Sequence, residues 1–534
     1  MAKNIVLIMA DQQRKDYLGC YGNPYVRTPN LDSIAKRSVQ FDCCYVNNPI
    51  CMPNRMSIFT GRYPRNHGMW TNGLILPGEL PTLANTLHDN GYDTCNIGKI
   101  HFQPTDCGPS FPVGESMEDG RYWKQIDDNI DWYGPYWGYD HVELTVNHAT
   151  KPLAHYGKWF HENGGTDEMA NPVKVEGFEY CPVTTMPERL HDSMFVGERS
   201  AEYIRSHAGQ EKPFFLVASF PDPHHPFNPP LETALRYKDV PVRMPVHEDD
   251  ELEGHPRHYH YHQMGVWHRA GLLKALPDMP EEDRQKVGQC KDIIGKFMDE
   301  GVLRGLGLLS HGDSSGEDKQ PSRIDSADRD QRIRNTYAMV DLIDQGVGKI
   351  LDALRETGTL EDTIIVVTSD HGELMGDHGL WLKGPFFYDG LINVPLMVCA
   401  PGIEPGKTRA LASSVDIYPT ICELAGVKTP GICDGVSQVN SLKGGSARNH
   451  CMIEYRNGYF ENDVNTMGYI DDDYKFIQYQ NGECELTSRK NDPNEDVNLA
   501  ADPAYAELVT KYREKLLMAI LNTGNRYPEQ VCHA

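Results

Sequence analysis

Short runs of β-branched and apolar residues punctuate this chain, separated by polar and helix-periodic segments. Asn4–Ala10 (NIVLIMA), Pro213–Phe220 (PFFLVASF), Thr363–Ser369 (TIIVVTS) and Val394–Ala400 (VPLMVCA) are nearly continuous in apolar residues, the pattern of strands buried on both faces. Arg332–Thr357 instead spaces Ile333, Tyr337, Val340, Ile343, Val347, Leu351 and Leu354 at helical intervals, which predicts a long helix with one face on a core. Leu31–Arg37 and Leu80–Asn90 are weaker helix patterns. Strands alternating with helices imply an α/β domain on a largely parallel sheet, whose ligands sit beyond the carboxyl ends of the strands.

The Gly/Pro-rich stretch Ala400–Lys407 and a helix near Ile417–Ala425 close this region. Beyond Lys428 the pattern turns polar, with a strand-like run at Asp473–Gln480 and a helix at Ala504–Ile520. Two domains are therefore expected: residues 1–442 as the catalytic unit, and residues 443–534 as a smaller α+β domain with a short antiparallel sheet and a helix. Trp123–Tyr180 and Leu231–Gly316 lack a regular period and are rich in Trp, Tyr and His, as expected of insertions covering one rim of the sheet. Within them, Gly254–His268 (GHPRHYHYHQMGVWH) holds five histidines without the spacing of a metal motif, so a rim loop or subunit contact is expected rather than a second metal site. The aromatic segment Asp131–His141 (DWYGPYWGYDH) suits either a stacking wall for a ligand or a packed insertion.

Composition narrows the class of function. Of 534 residues, 39% are hydrophobic and 24% charged, ordinary for a globular protein, but the net charge is -25. An acidic surface of that size argues against nucleic acid or an anionic membrane as partner. If the substrate is an anion, local Lys, Arg or metal charge must overcome the background field. The apolar run Ile5–Ala10 is too short for a signal segment, and no stretch approaches a membrane span. A cytoplasmic location is expected, with the 14 cysteines reduced; their spacing shows neither a disulfide framework nor a zinc pattern. The insertions and the tail ending EQVCHA offer surfaces for homo-oligomer formation.

Candidate chemistry gathers at strand ends. Asp11 follows the first strand, and Asp370–His371 follows the strand beginning at Thr363; carboxylates with one imidazole suit a hard or borderline divalent cation. A strand-end Asp alone is as often a turn or helix cap. In Asn48–Gly68 (NPICMPNRMSIFTGRYPRNHG), Pro53 suits the first turn of a helix and Gly61 the position that ends it. Cys51 would then stand at a helix N-terminus, where free N–H groups favour negative charge, with Arg55 one turn on.

CMPNRMSIFTGRYPRNHG resembles the signature of the type I sulfatases, members of the alkaline phosphatase superfamily, in which the cysteine of C-x-P-x-R is oxidised by a separate enzyme to Cα-formylglycine. Four further segments, in the family's order, carry the resemblance: LIMADQQ; GKIH (Gly98–His101); PHHPF (Pro223–Phe227), where His224 is the matching histidine; and TSDHGELMGDHGLWLKG (Thr368–Gly384), ending in Lys383. The resemblance implies an alkaline phosphatase-like fold and hydrolysis of a small sulfate ester. It also implies a divalent ion held by Asp11, Gln12, Asp370, His371 and the matured residue 51, and dependence on a formylglycine-generating enzyme. In the implied mechanism a hydroxyl of the hydrated formylglycine attacks sulfur, with Arg55 stabilising the diol. Lys99, His224 and Lys383 meet the sulfate and leaving oxygens, His224 or Lys383 protonates the leaving group, and His101 removes the second diol proton. His378, and Arg65 or His67, are further candidates to line the site, with structural roles given at least equal weight.

Two departures bear on specificity. Many relatives have two aspartates after the first strand and Asp-Asn in the later segment, where this chain has Asp11–Gln12 and Asp370–His371. Calcium is the family's usual ion; the added nitrogen brings manganese or magnesium into consideration. The Gln and His are also similar to choline sulfatases and to phosphonate monoester hydrolases, but the latter generally lack the Lys and His of G-K-x-H. Sulfate ester hydrolysis therefore leads, phosphonate or phosphodiester hydrolysis follows, and a non-catalytic anion binder or a Cys51 thiolate nucleophile are the contrasting readings.

Overall fold

The computed structural model describes residues 3–523 apart from 106, 108–109, 127, 148–149, 247–254, 257–258, 260–325 and 458–463. Its centre is an eight-stranded sheet: β1 (Asn4–Ala10), β2 (Val39–Phe41), β3 (Asp93–Gly98), β4 (His141–Leu144), β5 (Phe214–Phe220), β6 (Thr363–Ser369), β7 (Leu396–Cys399) and β8 (Gly406–Thr408). The spatial order is β4-β3-β5-β1-β6-β7-β2-β8. Every pairing is parallel except those that flank β7, so β7 alone runs against the rest. The sheet is thus mixed and mostly parallel, as the alternation of strands and helices predicts.

Both faces of the sheet are buried, which is why β1, β5 and β6 read as unbroken apolar runs. Ile5, Leu7 and Met9 point into one core with Met52, Met56 and Phe59 of the Cys51–Thr60 helix. Val6, Ile8 and Ala10 point into the other, against the helices Asp192–Ser206 and Ser326–Glu356. Those two helices cross closely at paired glycines: a Cβ on Gly197 would lie 2.6 Å from the Cα of Gly346. The long helix begins six residues before the predicted start, because its first turns are polar and carry no apolar period.

A second sheet, β9 (Cys451–Asn457), β10 (Val464–Ile470), β11 (Tyr474–Tyr479) and β12 (Cys484–Ser488), is antiparallel throughout and packs against the helix Ala506–Asn522. Only β11 is legible as a run; the others mix polar and apolar residues. One expectation is corrected: the stretch from Trp123 to Tyr180 is not irregular. It contains β4 and the helix Ala154–Glu162, and Tyr136 and Tyr139 are buried beside Phe102. Tyr136 and Tyr139 of the aromatic segment are thus part of the packed core, while Trp132, Tyr133 and Trp137 are half-buried. Of the histidine-rich segment, only His255, Pro256 and Tyr259 are described; His255 pairs with Glu485 at 3.1 Å, and the rest of the segment, like the tail EQVCHA, lies outside the described residues. The twelve described cysteines are all free thiols. Among the described residues, no helix is long and apolar enough to cross a membrane.

Candidate active site

The site forms where the carboxyl ends of β1, β3, β5 and β6 meet the N-terminus of the Cys51–Thr60 helix. Cys51 is the first helical residue, and Ile50 before it offers no side-chain cap. At this helix end Met52 N is taken by Asn72 Oδ1 at 3.1 Å and Pro53 has no N–H to offer. Gly61, at φ 65°, closes the helix after one buried stretch of ten residues.

Around Cys51 Sγ stand Asp11 Oδ1 at 3.6 Å, His371 Nε2 at 3.1 Å and Lys383 Nζ at 2.7 Å. Asp11, Cys51, Asp370 and His371 are all buried and present one ligand atom each within 4.8 Å of one another. His371 Nδ1 faces the carbonyl oxygen of Gly372 at 2.7 Å, so the hydrogen sits there and Nε2 is the lone-pair nitrogen turned into the cluster. Burial, then the Lys383 charge, lowers the His371 pKa and keeps the ring neutral, as a ligand must be. Gln12 donates its Nε2 to Glu373 at 2.5 Å, leaving the buried Oε1 without a hydrogen bond. Two carboxylates, an amide oxygen and an imidazole nitrogen fit a divalent cation, and the buried Gln12 oxygen, without a hydrogen bond, is open to serve as one of its ligands.

Positive charge surrounds these acids. Arg55 is fully buried: Nε donates to Asp370 Oδ2 at 2.7 Å, and Nη1 to the Lys99 carbonyl and to Ser219 Oγ, both at 3.0 Å. Its Nη2 makes no hydrogen bond and lies 3.7 Å from Asp11 Oδ2. Lys99 Nζ pairs with Asp11 Oδ2. Burial pushes the Asp11 carboxyl up, yet the cations Lys99, Arg55 and Lys383 hold it well below the usual range. Lys383 also reaches His224 Nε2 at 2.9 Å, while His224 Nδ1 faces the His225 carbonyl at 2.6 Å. The His224 proton is therefore on Nδ1, and Lys383 donates to the other nitrogen.

Lys99 and His101 arrive on one tight turn. Gly98, at φ 104°, passes so close to β5 that a Cβ would meet the Ser219 carbonyl oxygen at 1.9 Å, while Lys99 N donates to the same oxygen at 3.0 Å. Gly98→Ala should destabilise the fold by at least about 3 kcal/mol and displace both side chains. Thermal unfolding and metal retention, measured together, check this; an unchanged melting temperature would refute it. His101 follows at φ 68° with Nδ1 buried and free of hydrogen bonds. Burial, then Lys99 and Arg55, hold its pKa well below the histidine range, leaving a neutral imidazole.

The contacts above bring Asp11, Gln12, Cys51, Arg55, Lys99, His224, Asp370, His371 and Lys383 together, with His101 on the same turn as Lys99, whereas three side candidates do not join them. Arg65 pairs with Glu454 at 2.5 Å, His67 contacts Ser57 at 3.2 Å with burial depressing its pKa to about 3, and His378 stacks on Tyr388 at 3.6 Å. These contacts are structural. Sequence reasoning missed Ser219, Glu373 and Asn54, whose Nδ2 holds the Asp370 carbonyl at 2.5 Å. Glu373 stands inside the SDHGE segment and Asn54 inside C-x-P-x-R, so proximity to the motifs was the available signal.

Comparison with known proteins agrees with this geometry. The sulfatase family model matches residues 3–427, and the model described as N-sulphoglucosamine sulphohydrolase, C-terminal, matches residues 376–521. The chain is 29% identical to an arylsulfatase of Clostridium perfringens over 548 residues, covering 99% of this chain and 96% of the relative. It is 27% identical to the multifunctional alkaline phosphatase superfamily protein PehA of Trinickia caryophylli, covering 98% and 96%. Among solved structures, the phosphonate monoester hydrolase of Agrobacterium radiobacter shares the fold at a TM-score of 0.73 and 24% identity, covering 98% of this chain and 97% of that one. The strand-end acids, the helix that begins at Cys51 and a family match over four-fifths of its length lead to one conclusion: this chain belongs to the sulfatase family.

Proposed function

We propose that the protein hydrolyses small sulfate monoesters, with Cys51 matured to formylglycine as the nucleophilic residue. The observation that carries this reading is the placement of position 51: it stands at a helix N-terminus, within 3.6 Å of Asp11, His371 and Lys383, with Arg55 buried behind it. The thiol itself is poorly suited to the role. Burial, then Asp11, pushes its pKa up, which opposes the thiolate that a cysteine nucleophile or redox sensor requires.

Asp11, Gln12, Asp370 and His371, with residue 51, would hold one divalent ion; calcium is the first expectation and manganese or magnesium the alternatives. Bound there, the ion supplies Lewis acidity to the attacking and sulfate oxygens, and formylglycine supplies a nucleophile that can be released without hydrolysing an ester. The chain's own side chains do the remainder. Arg55, locked by Asp370, Ser219 and the Lys99 carbonyl, presents a fixed charge under position 51. Lys99 and Lys383 flank position 51 with two ammonium groups, matched to sulfate oxygens whose charge grows in the transition state. Lys383, which donates to the lone-pair nitrogen of His224, is placed to protonate the leaving oxygen, with His224 supporting it. The neutral His101 is the acceptor for the proton removed at position 51. In the unmatured chain burial lowers the Lys383 pKa while Cys51 and Asp11 raise it, leaving it above its ordinary value.

Phosphonate monoester hydrolysis is the second reading, favoured by Gln12 and His371 in the metal cluster; the presence of Lys99 and His101 in the pocket favours sulfate. Peptide mass spectrometry across residues 51–55 should find formylglycine in active protein, and the fraction modified should track activity toward an aryl sulfate. Wholly unmodified yet active protein would overturn the proposal. A panel of aryl sulfates, choline sulfate, sulfated sugars and phosphonate monoesters, ranked by kcat/KM, separates the two readings. Dialysis against a chelator should abolish turnover, and adding back a divalent ion should restore it; full activity in metal-free protein would exclude the metal's role. The maturation enzyme, homo-oligomer formation and a cytoplasmic setting belong to the same proposal, as does the division at residue 443 into a catalytic and a smaller unit.

A further inference from the structure

Glu118 belongs to none of the motifs above, yet it is tied to one of the proposed reacting groups. It is 2% exposed, and its carboxylate accepts three consecutive backbone N–H groups. His101 N donates to Oε2 at 2.5 Å, Phe102 N to Oε1 at 2.7 Å and Gln103 N to Oε1 at 3.0 Å. Tyr136 adds its hydroxyl to Oε1 at 2.9 Å. The segment that carries Glu118 is itself fastened to the same loop: Met117 N donates to Gln103 Oε1 at 2.7 Å, Glu118 N to Ser116 Oγ at 3.1 Å, and Ser116 Oγ to the Pro104 carbonyl at 2.8 Å.

Three successive N–H groups can converge on one carboxylate only where the chain curls back on itself, and His101 makes that curl with φ 68°. A residue with a Cβ rarely adopts this conformation, so it persists only where surrounding contacts over-determine it. Burial pushes the Glu118 carboxyl up, while Tyr136 and the three amides oppose that push by favouring the ionised form. The carboxylate and the strained loop thus stabilise each other, and the direction of the His101 side chain depends on both.

We propose that Glu118 is a positioning residue for turnover: by gathering the N–H groups of residues 101–103 it holds the His101 imidazole toward position 51. This rests on the reading of His101 as the proton acceptor. Glu118 touches no reacting atom and acts only through His101, which sets the form of the test.

The test is a double-mutant cycle on matured, metal-loaded enzyme, with Glu118→Ala, His101→Ala and the pair assayed on an aryl sulfate. Glu118→Ala should lower kcat by about 100-fold with KM changed less than about threefold, the loss expected when a general base is misplaced. In the His101→Ala background the same substitution should change kcat by less than about twofold, because its route of action is gone. Glu118→Gln, which keeps the side-chain shape but turns an amide NH2 toward backbone donors, should give an intermediate loss that likewise vanishes without His101; it carries the test if the alanine variant does not fold. Equal losses in both backgrounds would mean a general structural role and overturn the proposal, as would an unchanged kcat in Glu118→Ala. An unimpaired His101→Ala would instead reject the role given to His101, a failure distinguishable from that of Glu118 alone.

Discussion

Cys51→Ala should leave a folded, metal-binding protein whose kcat/KM on sulfate esters falls by about 10⁴-fold or more, the scale seen when a nucleophile is removed. Position 51 is fully buried, so removing one sulfur atom leaves a small cavity and destabilises by about 1–2 kcal/mol. The cluster keeps Asp11, Gln12, Asp370 and His371, so metal content should fall little. Alanine has no group that oxidation can turn into an aldehyde, so no maturation enzyme can rescue the variant. The separation of the two losses is the informative part: catalysis collapses while the melting temperature and metal stoichiometry stay near those of the parent. Turnover within tenfold of the parent would refute position 51 as nucleophile and leave the pocket as a metal and anion site.

Arg55→Ala should cost both stability and activity, because Arg55 neutralises a buried acid as well as facing the reaction. It is 0% exposed and paired to Asp370, also 0% exposed; deleting it leaves that carboxylate buried without its cation. Loss of one partner from such a pair destabilises by about 3–5 kcal/mol, and loss of a fixed charge beside a developing anion lowers kcat by about 10²–10³-fold. Arg55→Lys keeps a charge but has a single nitrogen, so it cannot serve Asp370, Ser219 and the Lys99 carbonyl together. It should recover part of the stability and little of the rate. Chemical denaturation and steady-state kinetics on both variants check this, and a lysine variant with full kcat would show that only charge, not the fork geometry, matters at position 55.

The legible part of the fold was the part buried on both faces. β1, β5 and β6 have no solvent-facing side to interrupt their apolar runs, and two of the three match the predicted boundaries residue for residue. β3 was hidden because Asp93, Thr94 and Asn96 break its pattern, although Thr94 and Asn96 are buried. β4 and β8 lie at the sheet edges and are three or four residues long, too short for any period to show. The same reasoning covers the second sheet, where polar residues alternate irregularly and pairing partners, rather than local pattern, decide the strands.

By itself the sequence determined the chemistry available: acids at the ends of two apolar strands, a cysteine ahead of Pro53 and Arg55, and Lys99, His101, His224 and Lys383 in family order. Those identities are local facts, readable from residue type and spacing. Only the tertiary structure decided which of them share a volume and in what protonation state. Asp11 and Asp370 are 359 positions apart along the chain, yet β1 and β6 are hydrogen-bonded neighbours and end at the same level. The neutral His371 and the depressed Asp11 arise from burial and from charges brought in by distant segments, whereas the lone-pair nitrogen of His224 follows from the contact of its other nitrogen with the His225 carbonyl. Glu118 shows the limit most plainly: no motif marks it, because its role comes from three amide groups that point together only after His101 has turned.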